Sequence, residues 1–345
     1  MSDLHIFAHS LSLSKLQSCL DCLDWVYSEA VKRKIKYVIF AGDLFHDRNK
    51  INIYAYDSTY SILSKYAKDV KSYFILGNHD MYYRTSRQIS SVKPFSEIVE
   101  VVSEPKKISI EGRTFDLLPY TENPVKEIND NFSKKSDILV GHLALQGAVL
   151  NALRGTRYES DSLEERITET PLECLSGYQR AFLGHFHARQ KINATVEYLG
   201  SPLQLSFGEA MCEKGFTILN LKTLETEFVE NNFTPKYFIL PADADFSQYD
   251  LKGSYVRLVS SGISEMSVVD VKNEMNAKYD LRNIEIINEN DTKSNLQVSE
   301  SFKDDFSTSI YSQIASYVDS LEDVTLEKEM LAEIGMRIVQ HRGTE

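Results

Sequence analysis

Seven side chains of metal-ligand type stand in or beside short apolar runs. Asp3 and His5 open the chain in SDLH, Asp43 closes YVIFAGD, and Asn78 follows YFILG ahead of His79 and Asp80. His142 closes ILVGH, and His185 and His187 close AFLGHFH. Any one of these alone carries little, since a lone Gly-His pair is more often structural. The set is different: the chain has 8 histidines, and His5, His46, His79, His142, His185 and His187 all fall inside these motifs. Mixed carboxylate, amide and imidazole donors suit a pair of borderline divalent cations, which one carboxylate can bridge. Two cations about 3.5–4 Å apart clamp the attacking and leaving oxygens of an in-line phosphoryl displacement and lower the pKa of a bound water. An imidazole outside the ligand set must then protonate or stabilise the leaving oxygen. His79, flanked by Asn78 and Asp80, is the candidate.

Bringing these side chains together requires a sheet. The four later runs are short and apolar enough for buried strands, and each contains a terminal glycine. Glycine permits the tight turn and close backbone approach that a metal or phosphate needs. Helical patterns over 14–34 and 52–68 alternate with the early runs, while 107–118, 196–203 and 215–230 read as strands closer together. The expected fold class is α/β, a layered β-sandwich flanked by helices with polar residues gathered at the strand ends. Asn231, Asn232, Pro235 and Pro241 then mark loops. A strand over 254–261, a helix over 265–278 and a strand over 283–288 make a small α+β module. Residues 289–302 read as a polar linker. The tail carries two helical stripes: Phe306, Ile310, Ile314 and Leu321, then Leu326, Met330, Ile334 and Ile338.

A chain of 345 residues, 42% hydrophobic, can bury one large core with appendages. No stretch approaches 18 apolar residues and no basic-then-apolar leader opens it, so a soluble, non-secreted, cytoplasmic protein with no membrane partner is expected. Cys19 and Cys22 form a CxxC inside a helical pattern with no second pair at zinc spacing, which reads as helix packing in a reducing compartment. The net charge of −12 counts against nucleic acid as a partner unless bound cations or local basic patches offset it. Candidate patches are Lys32, Arg33, Lys34 and Lys36, then Lys134 and Lys135, then Arg154 and Arg157.

SDLH, GDLFHDR, GNHD, GH and GHFH together resemble the calcineurin-like metallophosphoesterase superfamily. GSPLQLSFGE at 200–209 resembles its nuclease branch: the SbcCD nuclease subunit, phage recombination endonucleases and the eukaryotic meiotic-recombination nuclease. The resemblance implies two divalent cations, manganese before iron, zinc or magnesium. Asp3, His5, Asp43 and His187 would hold one, and Asp43, Asn78, His142 and His185 the other. His79 would be the catalytic histidine, His46 a rim residue positioning the DNA backbone, Asp80 an orienter of His79, and Ser201 a substrate contact. It implies a nuclease domain over 1–237, a DNA-capping domain over 238–290, and a linker with an ATPase-binding helical tail over 291–345. DNA, a coiled-coil ATPase of the SbcC type and a second copy of the chain are the implied partners. The dimer surface would be residues 52–66, where Tyr54, Tyr56, Tyr60 and Tyr66 stand among Ile53, Ile62 and Leu63. One departure is that the family carries a short apolar strand before its Asp-x-His motif, so an upstream extension of the reading frame is expected. The short length and compact tail suggest a viral origin.

Two other readings share the same ligands. A generic metallophosphoesterase would turn over small phosphodiesters or phosphoproteins. A non-catalytic scaffold would keep the centre only to stabilise its fold, and would have no need of His79.

Overall fold

The computed structural model describes residues 1–6, 12–148, 170–260 and 265–288. The linker and tail expected over 291–345, and the basic pair Arg154 and Arg157, lie outside the described residues.

Capping side chains start the early helices. Ser12 accepts from the Lys15 N–H and opens α1 (Leu13–Lys32), after which come β1 (Tyr37–Ala41) and α2 (Ile53–Tyr66), itself capped by Asn52 through the Ala55 N–H. Then follow β2 (Lys71–Ile75), β3 (Met81–Tyr83), β4 (Ser86–Ser90), β5 (Glu100–Val102), β6 (Lys106–Ile110) and β7 (Arg113–Leu118). Pro124 opens α3 (Pro124–Asn131), its fixed φ suiting the first helical turn. Next are β8 (Ile138–His142), β9 (Arg180–Gly184), β10 (Gln190–Lys191), β11 (Val196–Tyr198), β12 (Gly215–Leu219) and β13 (Thr226–Glu230).

Two sheets form the sandwich. β1, β2 and β5 pair in parallel in that order, and residues 1–6 run beside β1. The Ala41 N–H donates to the Met1 carbonyl (2.9 Å), the Asp3 N–H to Gly42 (2.9 Å), and Ile6 bridges Phe45 in parallel. These bonds aim Asp3 and His5. The second sheet runs β10-β11-β9-β8-β7-β6, with its four central strands parallel and an antiparallel strand at each edge.

Alternation assigns each strand two faces. Tyr73 and Ile75 of β2, Phe115 and Leu117 of β7, and Ile138 and Val140 of β8 fill the space between the sheets. Phe40 and Phe74 point the other way, into the layer made by α1 and α2. Leu139 and Leu183 face the outer layer, where Ile128 of α3 and Phe132 just after it cover them. The arrangement is the layered α/β sandwich the sequence predicts. Cys19 and Cys22 are free thiols buried in the α1 layer, as helix packing requires.

Two expected strands are subdivided and a third is shortened. Residues 107–118 are a hairpin, because Glu111 (φ 47°) and Gly112 (φ 86°) take the left-handed pair that a tight two-residue turn demands. Residues 215–230 are likewise the antiparallel pair β12–β13. The strand starting at 196 ends at Tyr198, just before Gly200 turns the chain.

The later module is α+β as expected. It comprises β14 (Tyr237–Pro241), β15 (Tyr255–Ser260), α4 (Glu265–Tyr279) and β16 (Asn283–Asn288), with the strands in the order β14-β15-β16. The described residues divide into two compact units: those within 1–240, 245–257 and 273–284, and those within 241–244, 258–260, 265–272 and 285–288. Every candidate site residue belongs to the first.

Candidate metal centre

The ligand-type residues stand beside β1 or at strand ends, where the backbone must turn sharply. Asp3 (φ 55°), His5 (φ 46°), Asp43 (φ 61°) and His185 (φ 108°) all adopt the left-handed region, which non-glycine residues seldom occupy. The glycines beside them are there for space. A Cβ on Gly77 would run into the Asp43 carboxylate, and one on Gly184 into the Ala41 carbonyl.

All seven expected ligands converge. The Asp43 carboxylate lies between two groups of imidazoles, with Oδ2 3.6 Å from His5 Nε2 and 3.3 Å from His142 Nε2. On one side His187 Nε2 and His5 Nε2 face each other at 2.9 Å. On the other, Asn78 Oδ1 is 3.0 Å from His142 Nε2 and 3.1 Å from His185 Nδ1. Asp3 is fully buried, and its carboxylate accepts the His185 N–H at 3.1 Å on both oxygens. Asp3, His5 and His187 form one compact donor group and Asp3, Asp43 and His142 another.

The chemistry of these donors fits cations. His142 Nδ1 donates to the Ala41 carbonyl at 2.8 Å, which turns its Nε2 toward the oxygens of Asp43 and Asn78 and toward His185 Nδ1 at 3.3 Å. His187 Nδ1 is engaged by the Glu209 carboxylate at 2.6 Å, which turns its Nε2 toward the His5 ring. Imidazole nitrogens and carboxylate and amide oxygens that converge in this way are satisfied by a positive charge among them, a proton or a cation. Electrostatics of the bare chain say the same. Burial opposes charge on His142, but Asp43 and Asp3 overcome it and raise the imidazole to about 9: a proton stands in for a cation. Burial would also raise Asp43, but His142, His5 and His79 outweigh it and hold the carboxyl well below its usual range. His185 is pushed down to about 3 by burial and by His142, leaving a neutral imidazole of the kind metals bind.

The His79 ring packs edge-on against His5, with centroids 4.8 Å apart, and with His5 and His46 it makes a third compact donor group. Its Nδ1 donates to the His46 carbonyl at 2.7 Å, which leaves Nε2 for proton transfer, and its backbone N–H donates to Asp43 Oδ1 at 2.8 Å. The His46 ring stacks on it, with centroids 5.3 Å apart, and His46 Nδ1 lies 3.3 Å from His5 Nδ1.

Two expected roles are corrected. Asp80 does not orient the His79 ring: its buried carboxylate accepts the backbone N–H groups of Asp43 (2.8 Å), Leu44 (2.9 Å) and Gly77 (2.9 Å), tying two ligand-bearing turns together. His79 is oriented by a main-chain carbonyl instead. Ser201 is only 1% exposed, so it has no surface to offer a substrate. Its Oγ accepts from Lys214 Nζ at 2.6 Å and faces the Leu203 carbonyl at 3.1 Å.

Sequence reasoning missed three neighbours. Glu209 closes the GSPLQLSFGE segment and holds His187. Lys214 pairs with Glu209 at 2.9 Å. The Tyr120 ring stacks over His185 with centroids 6.2 Å apart. Glu209 lay inside a motif already singled out, but nothing local marks Lys214 or Tyr120. Three residues of the proposed basic patches are engaged: Arg33 pairs with Glu29 and Glu227, Lys32 with Glu29, and Lys135 with the Cys174 and Ser176 carbonyls.

A buried carboxylate between two imidazole groups, at the strand ends of a layered α/β sandwich, defines a metallohydrolase of the phosphoesterase type. The chain belongs to the calcineurin-like phosphoesterase family, whose profile matches residues 1–189. It is 25% identical to Exonuclease subunit 1 of Enterobacteria phage T4 over 260 residues, 73% of this chain and 70% of that protein. It is also 25% identical over 234 residues to the SbcCD nuclease subunit of Staphylococcus epidermidis, covering 59% of this chain and 60% of the relative. The corresponding SbcCD nuclease subunit of Staphylococcus saprophyticus is 29% identical over 220 residues, 54% of this chain and 55% of its own length. The chain therefore spans under two thirds of both staphylococcal relatives. Among the described residues, no helix is long and apolar enough to cross a membrane.

Proposed function

We propose that this chain is a two-cation DNA phosphodiesterase, the nuclease subunit of a recombination and repair complex driven by a partner ATPase. In this reading it degrades duplex ends as an exonuclease and cuts single strands as an endonuclease. The observation that carries it is the convergence of six donors around Asp43 while His79, held through Nδ1 by a main-chain carbonyl, is kept for proton transfer. Relatives named as exonuclease and SbcCD nuclease subunits support DNA as the substrate and a partner subunit beside it.

Bound divalent cations, manganese in this reading, supply a hydroxide nucleophile and neutralise phosphate charge. The protein's own part is placement. Asp3, His5 and His187 would hold one cation and Asn78, His142 and His185 the other, with Asp43 between them. His79, carrying a proton on both ring nitrogens, would give the one on Nε2 to the leaving oxygen as hydroxide forms the new P–O bond and the old P–O bond breaks. His46 keeps that ring in place through its carbonyl and its stacked imidazole.

The net charge of −12 supports dependence on a partner for duplex affinity, because phosphate neutralisation dominates such binding. The proposed ATPase site is the helical tail within 303–340. The proposed dimer surface is α2, where Ile53 (84% exposed) and Tyr54 (58%) stand outward while Leu63 and Tyr66 are buried. Light scattering at micromolar concentration that shows only monomer would remove the dimer from this reading.

The deciding assay offers the protein Mn²⁺ with linear duplex, hairpin and single-stranded DNA, beside bis-p-nitrophenyl phosphate. Metal-dependent DNA cleavage is expected. Turnover of the small diester alone would make the chain a generic phosphoesterase, and turnover of neither, with metal bound, a scaffold.

A further inference from the structure

The most heavily bonded group near the centre is one the reaction does not use. Glu209 and Lys214 are 6% and 4% exposed, and form an ion pair at 2.9 Å. Such a pair adds little net stability over apolar side chains of the same size, because both charges lose their hydration. Its placement needs another reason. Glu209 Oε1 accepts from His187 Nδ1 at 2.6 Å, while Oε2 accepts from Lys214 and from the Leu205 N–H at 3.1 Å. Lys214 Nζ also donates to the His187 carbonyl at 2.7 Å and to Ser201 Oγ at 2.6 Å. One side chain thus fixes the His187 ring and its partner fixes the His187 main chain.

We infer that Glu209 and Lys214 are positioning residues that set the cation affinity of His187, and through it of one cation position only. With Nδ1 donating to a carboxylate, the imidazole is locked in the tautomer that presents Nε2 to a metal and becomes a stronger donor. Lys214 holds the Glu209 carboxylate at that ring and shares its charge. His187 groups with Asp3 and His5, whereas Asn78, His142 and His185 lie on the far side of Asp43 and touch neither member of the pair. The segment 200–209, buried over 200–205 and at Glu209, is therefore part of the metal centre's frame, with Ser201 as the hydroxyl that seats Lys214.

The inference rests on the two-cation reading of the site, so the test reads metal binding, not cleavage. Mn²⁺ titrations of the full chain, followed by the electron paramagnetic resonance of free Mn²⁺, would be run on wild type, Glu209→Gln, and Glu209→Gln combined with Lys214→Met. The double variant avoids leaving a lone buried ammonium. Wild type should bind two Mn²⁺. In both variants one should bind about 10–100-fold more weakly and the other unchanged, and the signal of the spin-coupled pair should vanish at Mn²⁺ levels that saturate wild type. Two wild-type affinities in the variants, or an equal loss at both positions, would overturn the inference. Fewer than two Mn²⁺ on wild type would refute the two-cation reading itself, and this inference with it.

Discussion

Replacing Asp80 with asparagine separates two accounts of this residue. In the structure its oxygens accept three backbone N–H groups, two on Oδ2 (from Asp43 and Gly77) and one on Oδ1 (from Leu44). An amide keeps the shape but has one oxygen. Oriented to keep the Asp43 and Gly77 bonds, it aims its NH₂ at the Leu44 N–H, donor against donor in a site 1% exposed. An unsatisfied buried donor costs about 1–3 kcal/mol. Burial and the neighbouring Asp43 push the Asp80 carboxyl up to about 7, so above that pH the expected loss is about 1–3 kcal/mol, read as a lower urea midpoint in excess chelator, where metal binding does not contribute. Cleavage should fall too, because the turns carrying Asp43 and Asn78 lose their tie. If Asp80 instead orients His79, the variant will unfold at the wild-type midpoint and lose only turnover. That result would refute the backbone-clamp account.

His79→Ala should retain both cations by metal analysis yet lose on the order of 10²–10⁴-fold in turnover, as removal of a general acid does; full activity would overturn its assignment. Metal removal should destabilise the fold, because the facing imidazoles and carboxylates then have only protons between them. Free Mn²⁺ at about 100 times its dissociation constant should add roughly 2.7 kcal/mol per independent site, and an unfolding transition indifferent to chelator would contradict the donor geometry. Deleting 303–345 should abolish ATPase capture in a pull-down and leave manganese-dependent cutting of short single strands nearly intact. Retained capture would move the partner site, and lost single-strand cleavage would give the tail a role in the catalytic fold.

What the sequence made legible followed from periodicity and punctuation. Strands such as YVIFAGD and AFLGHFH could be read because buried parallel strands are short apolar runs, and their terminal glycines sit next to the aspartate or histidine that follows in the chain. The ligand set followed from the same adjacency. What failed depended on contacts that adjacency does not encode. Asp80 was assigned to its neighbour His79, yet it bonds backbone 36 and 37 residues upstream. The resemblance made Ser201 a substrate contact, but Lys214, 13 residues on, draws it inward. The strand expected over 107–118 hid a turn, because Glu111 in a left-handed conformation has no strong signature beyond the glycine after it.

The braces of the centre are themselves made from its ligands. Left-handed backbone at a non-glycine residue costs of order 1–3 kcal/mol, and Asp3, His5, Asp43 and His185 all adopt it. Each must be held by something specific. The His185 N–H is held by the Asp3 carboxylate, the His79 N–H by Asp43, and the Asp43 N–H by Asp80. In the proposed reading Asp3 and Asp43 thus serve twice, as metal donors and as acceptors for the main chain that carries other site residues. Removing either carboxylate would delete a donor and also free a main-chain N–H elsewhere in the centre, that of left-handed His185 for Asp3 and that of His79 for Asp43. Glu209 is the exception, since it steadies a ligand without being one. That separation makes the His187 side the part of the centre where affinity can change without collapse of the rest.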